Sequence, residues 1–209
     1  MTPALQAFVE KLNKFQIHQT LGVGEPGQKL SAHFAHDDPY EYEIQKLDKE
    51  VIGMAQEEVK KELVPFFIRN YYLRHQRNIK LKIINENHNP ILYLKRSSYV
   101  LASTTLIYDE HHELFATIKR QFHPFIRKYE FRTKNQELIG FVHAPITKIW
   151  TFPIYNPRKR KIGIIKKRFP TIREFLTYRE TLKVQTGLMS PEEKIMTLSA
   201  SIIISIEHF

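Results

Sequence analysis

Arg158-Lys159-Arg160-Lys161 is the densest cationic run in the chain, and Lys166-Lys167-Arg168 follows after the apolar stretch Ile162-Gly163-Ile164-Ile165. Like charges this close repel one another unless an anion lies nearby, so the pattern suits a phosphate-bearing partner. The plainer reading is a solvated turn that keeps the molecule soluble. Residues 148–185 hold eleven basic and two acidic residues, whereas residues 37–62 hold nine acidic and four basic ones. The charge is therefore expected to be polarised across the molecule, with residues 158–168 as the anion-binding block. Phe169, Phe175 and Tyr178 lie among the basic residues and could stack on nucleobases, or serve equally as core residues of strands.

Other residue types offer less. His111-His112-Glu113 is the most metal-like triplet, but adjacent side chains diverge on a turn and no third ligand stands at a suitable spacing. His123 precedes Pro124 and has no identifiable nucleophile to serve as a base. Gly22-Val23-Gly24 lacks the strand-to-helix setting of a phosphate loop. No catalytic residue, metal site or cofactor is expected, and the chain does not read as an enzyme.

These residues are positioned by a repeat. Ile83, Ile107, Phe131 and Ile154 stand at steps of 24, 24 and 23 residues. Each is followed by a polar turn (85–90, 109–113, 132–137 and 156–161) and then by an apolar return. A fixed period of this size marks one supersecondary unit that buries its apolar face against its neighbours. Residues 79–168 thus form antiparallel hairpins in one sheet or barrel, with a more divergent hairpin at 40–54 and a further strand pair within 169–187. Leu5, Phe8, Val9 and Leu12 have helical spacing, so residues 3–15 read as a short amphipathic helix. Residues 21–38 read as a loop and 57–67 as a connector.

The C-terminal twenty residues differ in kind. Ser190-Pro191-Glu192-Glu193 has the form of a capping box, with proline where no N–H is needed. Residues 195–206 then run without a charge, so a helix there is apolar nearly all round and must be buried. Twelve residues reach about 18 Å, against roughly 30 Å of bilayer hydrocarbon, which favours a core helix over a membrane span. Ile195, Leu198, Ile202, Ile203 and Ile206 are its expected core positions.

Composition sets the outer limits. The chain has 209 residues, 42% of them hydrophobic, with a net charge of +10 and no cysteine. That permits a sizeable core and excludes disulfides, thiol catalysis and cysteine-ligated zinc. Residues 1–15 carry Glu10 within their apolar pattern and do not read as a secretory signal, and Thr2 stands where myristoylation requires glycine. A cytoplasmic location, peripheral to a membrane, is expected.

Several phrases, in order, resemble the phospholipid scramblase family of the wider tubby-like superfold. Tyr40-Glu41-Tyr42-Glu43-Ile44 is similar to the family's first strand, and Phe15-Gln16-Ile17-His18-Gln19 to the segment before it. Phe122-His123-Pro124 resembles the family's Trp-His-Pro, and Ile162-Gly163-Ile164-Ile165-Lys166-Lys167 resembles its Val-Gly-Lys-Ile-x-Lys strand. Residues 190–209 are similar to its terminal helix, ending Ile206-Glu207-His208-Phe209. The resemblance implies a mainly β fold: a closed antiparallel barrel of about twelve strands enclosing the C-terminal helix. The short N-terminal helix and its loop occupy 1–38, and the barrel domain occupies 39–209 with its central helix at 191–207.

The departures also matter. Eukaryotic members carry a proline-rich leader and cysteine clusters for lipidation, and this chain shows neither. The family's calcium segment is rich in aspartate, whereas residues 171–190 offer only Glu174 and Glu180. A hard cation takes about six or more oxygen ligands, which argues against calcium control. The expected function is scramblase-like: binding of anionic phospholipid at a membrane surface through Arg158, Lys159, Arg160, Lys161, Lys166, Lys167 and Arg168, with a role in transbilayer lipid movement. A nucleic-acid-binding module on the same basic face is one alternative. A tubby-like regulatory or ligand-holding domain without transport is the other.

Overall fold

The computed structural model describes residues 1–20, 40–58, 78–98, 102–168 and 181–208. The loop at 21–38, most of the 57–67 connector, the first part of the 169–187 strand pair and both glutamates of the 171–190 segment lie outside the described residues. The elements are α1 (Pro3–Glu10), β1 (Lys14–Thr20), β2 (Glu41–Lys46), β3 (Val51–Glu57), β4 (Ile79–Asn85), β5 (Pro90–Ser98) and β6 (Ser103–Asp109). They continue as β7 (Leu114–Gln121), β8 (Ile126–Thr133), β9 (Leu138–Pro145), β10 (Thr151–Tyr155), β11 (Lys161–Lys167), β12 (Thr181–Gln185) and α2 (Pro191–His208). Each strand pairs antiparallel with its neighbours in sequence, and β1 pairs with β12 to close a twelve-stranded barrel.

The repeat becomes five matching hairpin turns along one rim. In each, the first residue's N–H donates to the fifth residue's carbonyl, and the fourth donates back to the first: Asn85 N to Asn89 O at 3.0 Å and His88 N to Asn85 O at 3.0 Å are one instance. The fourth residue adopts a left-handed conformation every time, at Lys49, His88, His112, Gln136 and Lys159, with φ from 60° to 73°. The strand register shifts by one residue directly after Ile83, Ile107, Phe131 and Ile154, the apolar residues that mark the period, and likewise after Ile44 in the earlier, divergent hairpin. Short polar side chains support the turns: the Oδ1 of Asn85, Asp109 and Asn156 each accepts from the N–H four residues on. The register shift is a β-bulge, which adds the local twist that barrel closure requires.

A barrel of eight strands is filled by side chains, and one of sixteen leaves a channel. Twelve strands leave room for a helix, and α2 occupies it. Every residue from Ile195 to Glu207 is buried, including Ile195, Leu198, Ile202, Ile203 and Ile206. The capping box forms as its residues dictate: Ser190 N donates to Glu193 Oε2 at 2.7 Å, and Glu193 N to Ser190 Oγ at 3.2 Å. Among the helix's buried hydroxyls, Ser201 Oγ donates to Thr197 O at 2.7 Å.

Two boundaries differ from the sequence expectation. α1 ends at Glu10 rather than residue 15, because Phe15 belongs to β1, where it lies inside the barrel opposite Val184. The first strand is therefore Lys14–Thr20, ahead of the 40–44 segment, and the barrel begins within residues 1–38 rather than at 39. Leu5, Phe8 and Val9 of α1 are buried, and the Phe8 ring sits 2.9 Å from where a Cβ on Gly53 would stand. Lys11 Nζ reaches Glu86 Oε2 at 2.7 Å, tying α1 to the β4–β5 turn.

Candidate functional site

The hairpin of β10 and β11 carries both halves of the basic block. Asn156 N donates to Arg160 O at 2.9 Å and Lys159 N to Asn156 O at 2.9 Å, so the turn's backbone satisfies itself. Arg158, Lys159, Arg160 and Lys161 are all exposed, and no carboxylate pairs with them among the described residues. Lys166, Lys167 and Arg168 stand at the far end of β11. With about 3.3 Å of rise per residue, the two ends lie roughly 20 Å apart, on opposite rims of the barrel. The structure thus arranges the block as two groups at the ends of one strand, an elongated stripe with an uncharged middle, rather than one cluster.

Strand pairing extends that stripe. Lys166 lies directly opposite Lys183 of β12, and both are exposed. Like charges facing across an antiparallel pair are destabilising, so this site favours an anion from outside. Lys167 is held differently: its N–H donates to Trp150 O at 2.9 Å and its Nζ sits 5.3 Å from the centre of the Trp150 ring. Arg168 N donates to Thr181 O at 2.9 Å, joining the end of β11 to β12.

A second polar constellation lies inside the barrel, at the C-terminal end of α2. Arg96 of β5 donates from Nε to Glu207 Oε1 at 2.9 Å, and its Nη2 is also 2.9 Å from that oxygen. Ser103 Oγ donates to Oε1 at 2.6 Å, Tyr129 OH donates to Oε2 at 2.6 Å, and Arg120 Nη1 stands 3.4 Å from Oε2. Tyr129 has one hydroxyl hydrogen, given to the carboxylate, so His208 Nε2–H is the donor in the 2.8 Å contact between those two side chains. Burial works to raise the Glu207 carboxyl, but Arg96 and Arg120, with the bonds from Ser103 and Tyr129, hold it below the usual range. Burial, reinforced by the Glu207 charge, pushes the Tyr129 hydroxyl well above its ordinary value. Arg96, Ser103, Arg120 and Tyr129 converge on the Glu207 carboxylate from β5, β6, β7 and β8, so the cluster latches α2 to four strands.

A family model described as Scramblase matches residues 4–209. The chain belongs to the scramblase family. No curated protein matches it. Among solved structures it is similar to an X-ray structure of a protein from Arabidopsis thaliana, at 9% identity and a TM-score of 0.49, over 92% of this chain and 90% of that one. That likeness is too slight to add to the family match.

In this scramblase-family chain, the expected core residues of the C-terminal helix come together inside the barrel, whereas the seven basic residues separate into two groups at the two ends of β11. The metal-like triplet disperses: His111 Nε2 is 3.5 Å from Glu110 Oε1, and the His112 ring packs on Tyr93 with centres 4.2 Å apart. Among the described residues no helix is long and apolar enough to cross a membrane. The buried latch lies outside the residues expected to carry function, although the sequence holds a signal for it. Leu92, Leu94 and Arg96 share the inward period-two face of β5, and an arginine at a core position requires a buried acid partner.

Proposed function

We propose that this scramblase-family protein binds anionic phospholipid at a membrane surface through the basic stripe on β11 and its flanks. The observation that carries this reading is the placement of the charge: cations stand at both ends of β11, some 20 Å apart, with Lys166 facing Lys183 across the pair. A single head group cannot satisfy so long a stripe; a planar array of phosphates can. Family membership supports lipid over nucleic acid as the source of those phosphates. Arg158, Lys159, Arg160 and Lys161 form one end, and Lys166, Lys167 and Arg168 the other. Binding takes precedence over transbilayer movement here, because α2 is sealed within the barrel and offers no polar path through a bilayer.

Flotation with vesicles of phosphatidylcholine, with and without phosphatidylserine, tests the reading. Enrichment on the anionic vesicles at physiological salt is expected. Arg158→Glu/Arg160→Glu and Lys166→Glu/Lys183→Glu should each weaken it while leaving the thermal melt near that of the wild type. A wild-type protein that ignores anionic vesicles, or prefers a nucleic-acid duplex added as competitor, would sink the proposal.

A further inference from the structure

Four large apolar side chains project from the rim opposite the hairpin turns: Phe122 is 60% exposed, Phe125 68%, Ile146 46% and Ile149 56%. They come from the β7–β8 and β9–β10 loops, which are neighbours around the barrel. Scattered exposed apolar residues are ordinary, but a cluster of this kind marks a surface that meets something apolar.

The two loops are also built as one unit. Ile146 N donates to Phe125 O at 3.1 Å. Arg127, at the start of β8, reaches across with Nη1 to Ile149 O at 3.0 Å and Nη2 to Lys148 O at 2.9 Å. Its guanidinium lies 4.4 Å from the centre of the Phe152 ring, and burial lowers its pKa. The apolar tip is therefore held in place before any partner arrives, which reduces the ordering cost of binding.

Charge identifies the partner. Residues 119–128, 145–150 and 166–168, in and around the tip, hold eight basic residues and no acidic one; two of the eight pair with carboxylates outside these ranges, Lys128 with Glu130 at 2.9 Å and Arg120 with Glu207 at 3.4 Å, and the balance stays positive. Two copies docked tip to tip would oppose like charges, whereas an anionic bilayer supplies hydrocarbon for the rings and phosphate for the lysines. The near end of the β11 stripe reaches this rim, and Lys167 lies against Trp150, next in sequence to Ile149.

We propose that this rim inserts into the interface of an anionic bilayer, with Phe122, Phe125, Ile146 and Ile149 below the head groups and the barrel leaning toward its β11 flank. The proposal rests on the membrane-binding reading above and adds an orientation: the C-terminal end of α2 faces the lipid, the barrel lies over on its β11 flank so that the β10–β11 turn also reaches the head groups, and the other four hairpin turns face away.

Trp150 is the one tryptophan of the chain and reports on this rim without any substitution. On phosphatidylcholine–phosphatidylserine vesicles its emission should shift to the blue. Lipids brominated near the head-group end of the chain should quench it more than lipids brominated at the chain terminus. Phe122→Ser/Phe125→Ser should lower vesicle partitioning by at least about tenfold, with an unchanged melt because both rings are exposed. If the wild type floats but Trp150 is unquenched and the double variant floats equally well, the orientation is wrong and the membrane reading survives. A wild type that does not float removes both. Concentration-dependent self-association without lipid, abolished in the double variant, would assign the patch to a second copy and overturn the proposal.

Discussion

Arg96 and Glu207 are 111 residues apart in sequence and meet through a 2.9 Å ion pair, with side-chain exposures of 1% and 0%. A buried pair of this kind need not be worth more than an apolar pair of the same size, but losing one partner strands a charge. Arg96→Met should therefore destabilise the protein by about 3–5 kcal/mol. Adding Glu207→Gln to it should recover part of that loss. Chemical denaturation of the two single variants and the double variant measures the coupling; strictly additive effects would mean that the pair does not act as a latch.

Acid should release the same latch. The Glu207 carboxyl lies below its ordinary value in the folded protein, so the unfolded chain binds the proton more readily. Its contribution is present in full above the unfolded value of about 4.3 and is lost as pH falls through the folded one. Melting temperature plotted against pH should fall more steeply on the acid side in the wild type than in Glu207→Gln. Parallel curves would show that other carboxylates govern the acid limb.

Ile203 lies in the middle of α2 and is 1% exposed. Ile203→Asp should prevent folding, because a buried carboxylate without a partner of its own costs several kcal/mol or shifts its protonation. Ile203→Val removes one methylene and should cost only about 0.5–1.5 kcal/mol. Circular dichroism and thermal melts separate the two. A folded Ile203→Asp protein would place the helix at the surface.

Gly163 on β11 has no room for a side chain. A Cβ there would stand 2.7 Å from Gln185 O, which is backbone, and would also collide with the Met189 methyl. Met189 can move, but the carbonyl belongs to β12 and cannot move without disturbing that strand. Gly163→Ala should cost about 1–3 kcal/mol, the range of overpacked cores, and loosen the β11–β12 seam that brings Lys166 to Lys183. Hydrogen exchange along β12 would reveal the loosening; unchanged protection would show that the strand adapts freely.

Much of this architecture is local, and local chemistry is legible. The five turns share one hydrogen-bond pattern because the chain supplies Asn, Asp or Thr at the start of four of them and an apolar residue before each bulge. The capping box at Ser190 and Glu193 formed as its residues required. The end of α1 is not legible in the spacing, because Leu12 and Phe15 continue a helical pattern although Phe15 is committed to the β1–β12 pair. Periodicity registers that a residue is buried, not which element buries it.

The sequence by itself determined the hairpins, their turns, the apolar C-terminal helix and the excess of positive charge on one part of the chain. Each depends on hydrogen bonds or spacing within a few residues. Only the tertiary structure decided that the two basic runs occupy opposite rims, that Lys166 faces Lys183, that Arg96 meets Glu207, and that Phe125 and Ile146 share one tip. Those juxtapositions follow from strand register and barrel closure, which collect small contributions from every strand and cannot be read from any one of them.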